Sequence, residues 1–169
     1  APDAGARIDE LLALAGRGGS AQVHLGGGLR ALVEYGELRF TVAPAQRAAA
    51  GPVELPVPGI VRFGEFEVRC APCQAEPRAG VLDADALADQ LTVRVWRDGD
   101  RMAPLGLGGS KSLQDLFTDR HVPRERRHDL PVIESAGEIA CIPGVATGER
   151  FRVTDHTAQA VRLSARRAA

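Results

Sequence analysis

Residues 105–112 combine three glycines with Lys111, residue types that bind phosphate in nucleotide-binding loops. A Walker A loop needs glycine directly before the lysine and another glycine five residues earlier, and this sequence has Ser110 and Leu105 there. The spacing therefore argues against ATP binding. A glycine-rich loop leading into a helix still offers free backbone N–H groups and the positive end of the helix dipole. Two interpretations stay open: Lys111 holds an RNA phosphate, or the glycines only form turns and Lys111 is solvated.

Cys70 and Cys73 have the C-x-x-C spacing of half a zinc site. A structural zinc site needs a second closely spaced pair, and neither Cys141 nor the scattered histidines provide one. A thioredoxin-like motif would open a helix, whereas Pro72 and Pro77 predict a loop. We expect cysteines without metal or redox chemistry. Their odd number argues against a disulfide framework and for a reducing cytoplasm.

Two pairs of aspartates have the D-x-D spacing that can bind a hard cation, at residues 83 and 85 and at residues 98 and 100. Asp98 and Asp100 flank Gly99, and aspartates commonly stabilise such turns through local backbone hydrogen bonds. The turn interpretation is therefore favoured over a metal site. The sequence also lacks a G-x-S-x-G nucleophile elbow, and its four histidines are scattered. We predict no catalytic residue, no bound cofactor and no metal.

Basic side chains are concentrated in the second half of the chain. Residues 1–90 contain 8 basic and 12 acidic side chains, whereas residues 91–169 contain 13 and 10. A basic half is the footprint of a polyanionic partner, and the planar guanidinium group fits phosphate oxygens. From the residues alone, a solvated face neutralised by acidic neighbours is slightly favoured over this interpretation. The basic residues between 97 and 127 are Arg97, Arg101, Lys111, Arg120, Arg124, Arg126 and Arg127.

The elements that must position these residues are predicted to be mainly short strands. Alternating apolar residues and intervening glycines predict a hairpin over residues 29–42 and another around Gly64. Pro56 and Pro58 restrict the stretch that contains them to an edge strand at best. The other predicted strands cover residues 21–25, 91–96, 130–135, 138–143, 149–154 and 160–165.

Helices are predicted to be few and short. Apolar residues at helical spacing predict one over residues 7–15. A second is predicted over residues 111–119 with Ser110 as its N-cap, and Pro123 opens a third. The fold class is therefore α+β, with mostly antiparallel sheet and a pair of short helices inserted in the second half.

We place a domain boundary near residue 88, which divides the chain into two small domains, a β-rich region over 1–88 and a second domain over 89–169. The balance of 44% hydrophobic and 25% charged residues is ordinary for a globular protein. No apolar run reaches the roughly 18 residues of a membrane span, so no membrane partner is expected. The chain begins at Ala1 without a methionine, and we expect a processed chain or a cut fragment.

A series of short motifs runs through residues 91–153. In order, they are Arg97-x-Gly99-Asp100-Arg101, Pro104-Leu105-Gly106, Gly109-Ser110-Lys111-x-Leu113-x-Asp115-x-Phe117, Val122-Pro123, Arg127 followed by Leu130-Pro131, and Pro143-Gly144. In this order and spacing they resemble the C-terminal domain of tRNA(Ile)-lysidine synthetases. Residues 1–82 match more loosely, and their β-rich pattern is similar to the region that precedes that domain.

The resemblance implies a piece of a ligase that cannot catalyse by itself. Enzymes of this family activate C34 of the tRNA(Ile) anticodon with ATP and join lysine to it in an N-terminal domain. That domain carries a Ser-Gly-Gly-x-Asp-Ser loop, which this sequence lacks. ATP and lysine would be substrates of the absent domain, and the chain would need no cofactor.

The resemblance also implies partners and RNA contacts. The C-terminal domains of the family grip the body and acceptor stem of tRNA(Ile), and the second partner is the enzyme's own N-terminal catalytic domain, all in the cytoplasm. The implied RNA-binding residues are Arg97, Arg101, Lys111, Arg124 and Arg127. The alternative is a structural or protein-interaction domain that docks on the catalytic domain or forms a homodimer, with little RNA affinity of its own.

Overall fold

The computed structural model describes residues 21–26, 29–34, 37–42 and 50–168, together with Ala13. The chain divides into two compact units, residues 1–48 and residues 49–169. Ala13 is helical and exposed, and the rest of the helix predicted over residues 7–15 lies outside the described residues.

The first unit contains an antiparallel sheet in the order β1-β2-β3. Its strands are β1 (Ala21–Gly26), β2 (Leu29–Glu34) and β3 (Glu37–Val42). The hairpin predicted over residues 29–42 is thereby confirmed. Ala31 and Val33 are buried on one face of β2, as the alternation requires, and they pair with Phe40 and Leu38 of β3.

The second unit has eleven strands among residues 50–168. They are β4 (Val53–Pro56), β5 (Gly59–Phe63), β6 (Phe66–Cys73), β7 (Val81–Asp83), β8 (Gln90–Arg94), β9 (Arg101–Met102), β10 (Lys111–Ser112), β11 (Val132–Ser135), β12 (Glu138–Ile142), β13 (Ala146–Thr147) and β14 (Ala160–Arg167). Two short helices, α1 (Leu113–Asp119) and α2 (Arg124–Arg127), lie between β10 and β11. Every strand pair in the described residues is antiparallel, so a mostly antiparallel fold with few helices is confirmed.

The strands of the second unit form two large sheets that cross the boundary expected near residue 88. One sheet has the order β13-β12-β11-β8-β4 and the other β5-β6-β14-β7. Strand β4 pairs with β8, and β6 pairs with β14 along eight residue pairs, 66–73 with 160–167. The sheets therefore join both expected domains into one unit, and the structure divides the chain before residue 49 instead.

The five-stranded sheet is buried on both faces. On one face Leu91 and Ile133 pack with Phe63 of the four-stranded sheet, all at 0–1% exposure. On the other face Val132 packs against Leu113 and Phe117 of α1. This double burial explains why four consecutive residues of β12, 139–142, are apolar and buried. The unit thus has three layers: the four-stranded sheet, the five-stranded sheet and the helices.

Residues 149–154 do not form the predicted strand. Instead Glu149–Phe151 make a 3-10 turn, in which the Phe151 N–H donates to Gly148 O at 3.1 Å and the Arg152 N–H to Glu149 O at 3.2 Å. The turn places the Phe151 ring in the core between the sheets. A single buried aromatic therefore accounts for the apolar signal that suggested a strand.

None of the helices among the described residues is long and apolar enough to cross a membrane.

Candidate nucleic-acid interface

The helix predicted over residues 111–119 begins two residues late because Lys111 and Ser112 are extended. They pair as β10 with Met102 and Arg101 of β9. The N-cap is therefore Ser112, not Ser110. The Ser112 hydroxyl accepts a hydrogen bond from the Asp115 N–H at 3.1 Å and donates to the Asp115 carboxylate at 2.6 Å.

Lys111 lies outside the first turn of α1 and has an intramolecular partner. Its ammonium group forms an ion pair with the Asp119 carboxylate, and its side chain is 27% exposed. The Leu113 N–H donates to Asp100 O at 2.9 Å, and the Asp115 N–H is occupied by Ser112. The arrangement does not match a phosphate cradle at the start of α1.

The glycines before Lys111 form turns that hold the loop against the domain. Gly106 and Gly108 have positive φ angles of 81° and 73°, which glycine adopts without the strain of a side chain. The Leu105 N–H donates to Thr147 O at 2.8 Å, and the Gly106 N–H donates to the Glu149 carboxylate at 2.9 Å. The structure thus favours the turn interpretation of these glycines.

Arg97, Arg101 and Arg124 have exposed side chains. The Arg101 guanidinium donates to the Ser110 hydroxyl at 3.2 Å and to Ser110 O at 3.1 Å, so it lies along the glycine-rich loop with its remaining donors towards solvent. Arg124 is the first residue of α2, and Arg97 lies three residues after the end of β8. These three side chains can reach a partner without rearrangement of the core.

Residues 96–129 lie on the face of the five-stranded sheet that α1 covers. We call these residues the helical side. Its exposed charges nearly balance. The exposed basic residues are Arg97, Arg101, Arg120, Arg124 and Arg126, and the exposed acidic residues are Asp98, Asp115, Asp119, Glu125 and Asp129. The helical side is therefore a solvated face whose basic residues are balanced by acidic neighbours, as the sequence alone slightly favoured.

Arg127 lies inside the domain, although the resemblance implied an RNA contact. It is 5% exposed, and its Nε donates to Val122 O at 2.9 Å. Its guanidinium carbon lies 5.9 Å from the centre of the Phe117 ring, and Nη2 is 3.3 Å from the Thr118 hydroxyl. Arg127 thus fastens α2 to α1, and an RNA phosphate cannot reach its donors in this conformation.

A buried ion-pair network under the loop that carries Arg97 and Arg101 was missed by the sequence interpretation. Arg94 on β8 is 4% exposed and donates two hydrogen bonds, of 2.7 and 2.9 Å, to the Asp100 carboxylate. It also pairs with the Glu134 carboxylate on β11. The available signal was a charged residue in the middle of an apolar strand, since such a residue is rarely buried without partners.

Asp100 serves this network rather than a cation. Burial opposes ionisation, but the hydrogen bonds from Arg94 and from the Arg97 N–H at 2.8 Å outweigh it and lower the pKa of the Asp100 carboxyl. For Arg94, burial likewise opposes the charge, and hydrogen bonds to Asp100 and Glu134 raise its pKa. The described residues contain no group of three His, Cys, Asp or Glu side chains placed to hold a metal.

The cysteines show the environment of unreactive thiols. Cys70 and Cys73 are three residues apart on β6, so their side chains point to opposite faces of the sheet and cannot share one metal. Burial, with a smaller contribution from Cys73, raises the pKa of Cys70 to about 11. Burial raises the pKa of Cys141 to about 12. Both thiols stay protonated at neutral pH and are poor nucleophiles.

An open depression of about 350 Å³ lies between the glycine-rich loop and the turn after β12, with Pro104, Val145 and Arg120 among its lining residues. The Thr147 hydroxyl in this depression accepts a hydrogen bond from the Gly80 N–H at 3.0 Å. Its remaining lining is backbone, aliphatic side chains and the buried Cys141 thiol. It therefore lacks the paired acid, base and nucleophile that an enzymatic site requires.

Comparisons with known proteins address the origin of this domain. Residues 91–164 match the family model described as the TilS substrate C-terminal domain. The chain is 35% identical over 175 residues to the tRNA(Ile)-lysidine synthase of Symbiobacterium thermophilum, which covers 95% of this chain and 36% of that protein. It is 33% identical over 150 residues to the tRNA(Ile)-lysidine synthase of Geobacillus kaustophilus, covering 82% and 32%.

A solved structure shows the same likeness. The crystal structure of a TilS C-terminal domain is similar with a TM-score of 0.59 and 28% sequence identity, over 70% of this chain and 99% of that one. The chain spans about a third of the length of the curated relatives it matches, 36% of one and 37% of another. The order of the motifs, the antiparallel sheets and these likenesses agree, and the chain belongs to the tRNA(Ile)-lysidine synthase family, as a C-terminal portion.

Proposed function

We propose that this chain is the non-catalytic, tRNA-holding part of a tRNA(Ile)-lysidine synthase. It holds tRNA(Ile) by its body and acceptor stem, so that the N-terminal ATP-dependent domain of the whole protein can join lysine to C34 of the anticodon. The observation that supports this proposal is a set of exposed arginines on a domain of this family.

Arg97, Arg101 and Arg124 are the residues we assign to RNA contacts. The Arg94–Asp100 pair fixes the loop that carries the first two, so their guanidinium groups start from a rigid base. Such groups recognise phosphate oxygens and position an RNA without selecting its sequence. Lys111 contributes only if an RNA phosphate displaces Asp119 from it. ATP and lysine bind elsewhere in the whole protein, which acts in the cytoplasm.

The test is the affinity of the chain for a tRNA(Ile) transcript, measured by fluorescence anisotropy at several salt concentrations. Each phosphate contact steepens the logarithmic dependence of affinity on salt by roughly 0.7 to 0.9. Arg101→Glu should flatten this dependence by about that amount. The matched control is Arg150→Glu, because Arg150 is 68% exposed and already pairs with a carboxylate, that of Glu138. An absence of tRNA binding at 50 mM salt would refute the proposal.

A second candidate function is docking onto the catalytic domain or a second copy. It is favoured by Leu38 and Phe40 on β3, which are 44% and 59% exposed. Strand β3 is an edge strand of its sheet in the described residues, and exposed apolar edges favour association. Sedimentation velocity of the wild type and Phe40→Ser distinguishes the functions: a dimer lost in the variant supports docking, and a monomer in both removes the homodimer.

A further inference from the structure

The outer face of the four-stranded sheet carries arginines that come from three strands. On β6, Phe66, Val68 and Cys70 point into the core, so Glu67 and Arg69 point outward. The same alternation directs further arginines of β5 and β14 to this face. The full set is Arg62, Arg69, Arg162 and Arg166, and each side chain is exposed. We call these four residues, with Glu67, the outer sheet face.

Strand pairing arranges the outer sheet face in rows. Arg62, Glu67 and Arg166 form one row across β5, β6 and β14. In the next row Arg69 lies opposite Ser164, and Arg162 lies one step further along β14. Diagonal neighbours on adjacent strands are about 7–8 Å apart, which is within the reach of long side chains. The guanidinium groups can therefore act on one extended anion.

The charges of the outer sheet face are largely unneutralised. Glu67 accepts two hydrogen bonds from Arg166, at 2.9 and 2.6 Å, and is the acidic residue in these rows. Within residues 50–168, the other three arginines form no ion pair and no side-chain hydrogen bond. Asp83, one row beyond Arg162, is occupied by the Thr157 hydroxyl and the Asp85 N–H. The face thus has four arginines against one paired carboxylate.

The outer sheet face is concave. A depression of about 440 Å³ lies over β6 and β14, lined by Arg69, Arg162 and Arg166 together with Glu67 and Ser164. Its lining combines guanidinium groups with small side chains such as Ala71. A convex, negatively charged backbone fits this shape better than an apolar segment, because Arg166 is paired with Glu67 but the guanidinium groups of Arg69 and Arg162 have no carboxylate partner there.

We propose that the outer sheet face binds the phosphate backbone of an RNA helix and is a second RNA-contacting surface, separate from the helical side. The proposal rests on the proposed function, because it takes the tRNA as the source of the phosphates. The two surfaces lie on opposite sides of the three-layered unit. One RNA that contacts both must therefore pass around an edge of the domain.

The test uses the whole chain and the same tRNA(Ile) transcript. The double variant Arg69→Glu/Arg162→Glu is compared with the matched double control Arg78→Glu/Arg150→Glu, whose arginines are 72% and 68% exposed and pair with Glu76 and Glu138. We expect the face variant to flatten the logarithmic salt dependence by roughly 1.4 to 1.8, and the control to leave it nearly unchanged. Unchanged thermal melting of each variant shows that the fold is intact.

A third variant is expected to strengthen binding, which damage to the fold does not do. Glu67→Gln removes the carboxylate that holds Arg166. It should tighten binding at 50 mM salt and increase the fall in affinity between 50 and 200 mM by roughly threefold, the effect of one added phosphate contact. A wild type that binds, with a face variant equal to the control and an unchanged Glu67→Gln, overturns this inference and leaves the proposed function intact. A wild type that fails to bind overturns both.

Discussion

The helical side and the outer sheet face carry their arginines in opposite ways. On the helical side, the basic residues fall within one stretch, residues 97–127. Five exposed arginines are matched in number there by five exposed carboxylates, Lys111 pairs with Asp119, and Arg127 is buried. On the outer sheet face, the arginines lie between residues 62 and 166, and one carboxylate accompanies four of them. Density of charge along a chain is therefore a poor guide to density of charge on a surface.

The physical reason is the geometry of the two kinds of element. Short helices and turns send neighbouring residues in every direction, so a basic run is shared between core, solvent and ion pairs. A strand sends alternate residues to one face, and pairing places distant segments side by side at about 4.8 Å. Residues 69 and 164 are adjacent for this reason alone.

The largest expected effect is the difference in unfolding free energy lost when a buried or an exposed arginine is replaced. Arg94→Leu leaves Asp100 and Glu134 without their cation in a largely buried site, and removal of one partner from such a network costs about 3 kcal/mol of unfolding free energy. Arg150→Leu, at an exposed pair, should cost no more than about 0.5 kcal/mol. Urea denaturation measures both. Equal losses would mean that the Arg94 network does not hold the helical side.

The next effect measures whether both surfaces contact one RNA. Adding Arg101→Glu to the double variant of the outer sheet face removes three contacts, and distant sites contribute independently. The fall in tRNA affinity between 50 and 200 mM salt should then shrink by roughly thirtyfold, about threefold for each contact. Anisotropy titrations of the double and triple variants provide the measurement. A triple variant identical to the double variant would assign RNA binding to the sheet face alone.

Acid pH should weaken the helical side selectively. The pKa of Asp100 is lowered in the folded protein, so the ionised carboxylate stabilises the fold. This stabilisation is fully present at pH values above the usual pKa of an aspartate, about 3.9. This contribution is lost as the pH falls through the lowered pKa. The difference in unfolding free energy between the wild type and Asp100→Asn should therefore be greatest at neutral pH and shrink in acid. A difference that stays constant from pH 7 to pH 3 contradicts the ionised pair.

The smallest effect concerns Lys111. Asp119→Asn removes its partner and one negative charge from the helical side, so tRNA affinity at 50 mM salt should rise. The fall in affinity between 50 and 200 mM salt should increase by roughly threefold, the effect of one gained contact. Glu76→Gln, which frees the exposed Arg78 in the same manner, is the matched control. Should the two variants change affinity equally, Lys111 has no particular part in the interface and only net charge counts.

Local patterns in the sequence determined much of the fold. Alternation of apolar residues predicted β1 to β3, β8, β11, β12 and β14 close to their observed bounds, because burial of one face requires that period. Gly64, with a positive φ of 55°, marks the predicted hairpin between β5 and β6. The motifs of residues 91–153 predicted the family whose model matches residues 91–164.

Tertiary structure decided which residues are available to a partner. The pairing of β9 with β10 determines where α1 begins. Arg127 is buried and so is absent from the surface, and Asp100 forms an ion pair with Arg94 that the sequence did not predict. These outcomes depend on contacts between segments far apart in the chain, which local patterns do not encode. For the same reason the pairing of β6 with β14, which joins residues 66–73 to residues 160–167, created the outer sheet face. The sequence determined which residue types alternate along each strand, and the long-range pairing of strands determined which residues lie next to one another in space.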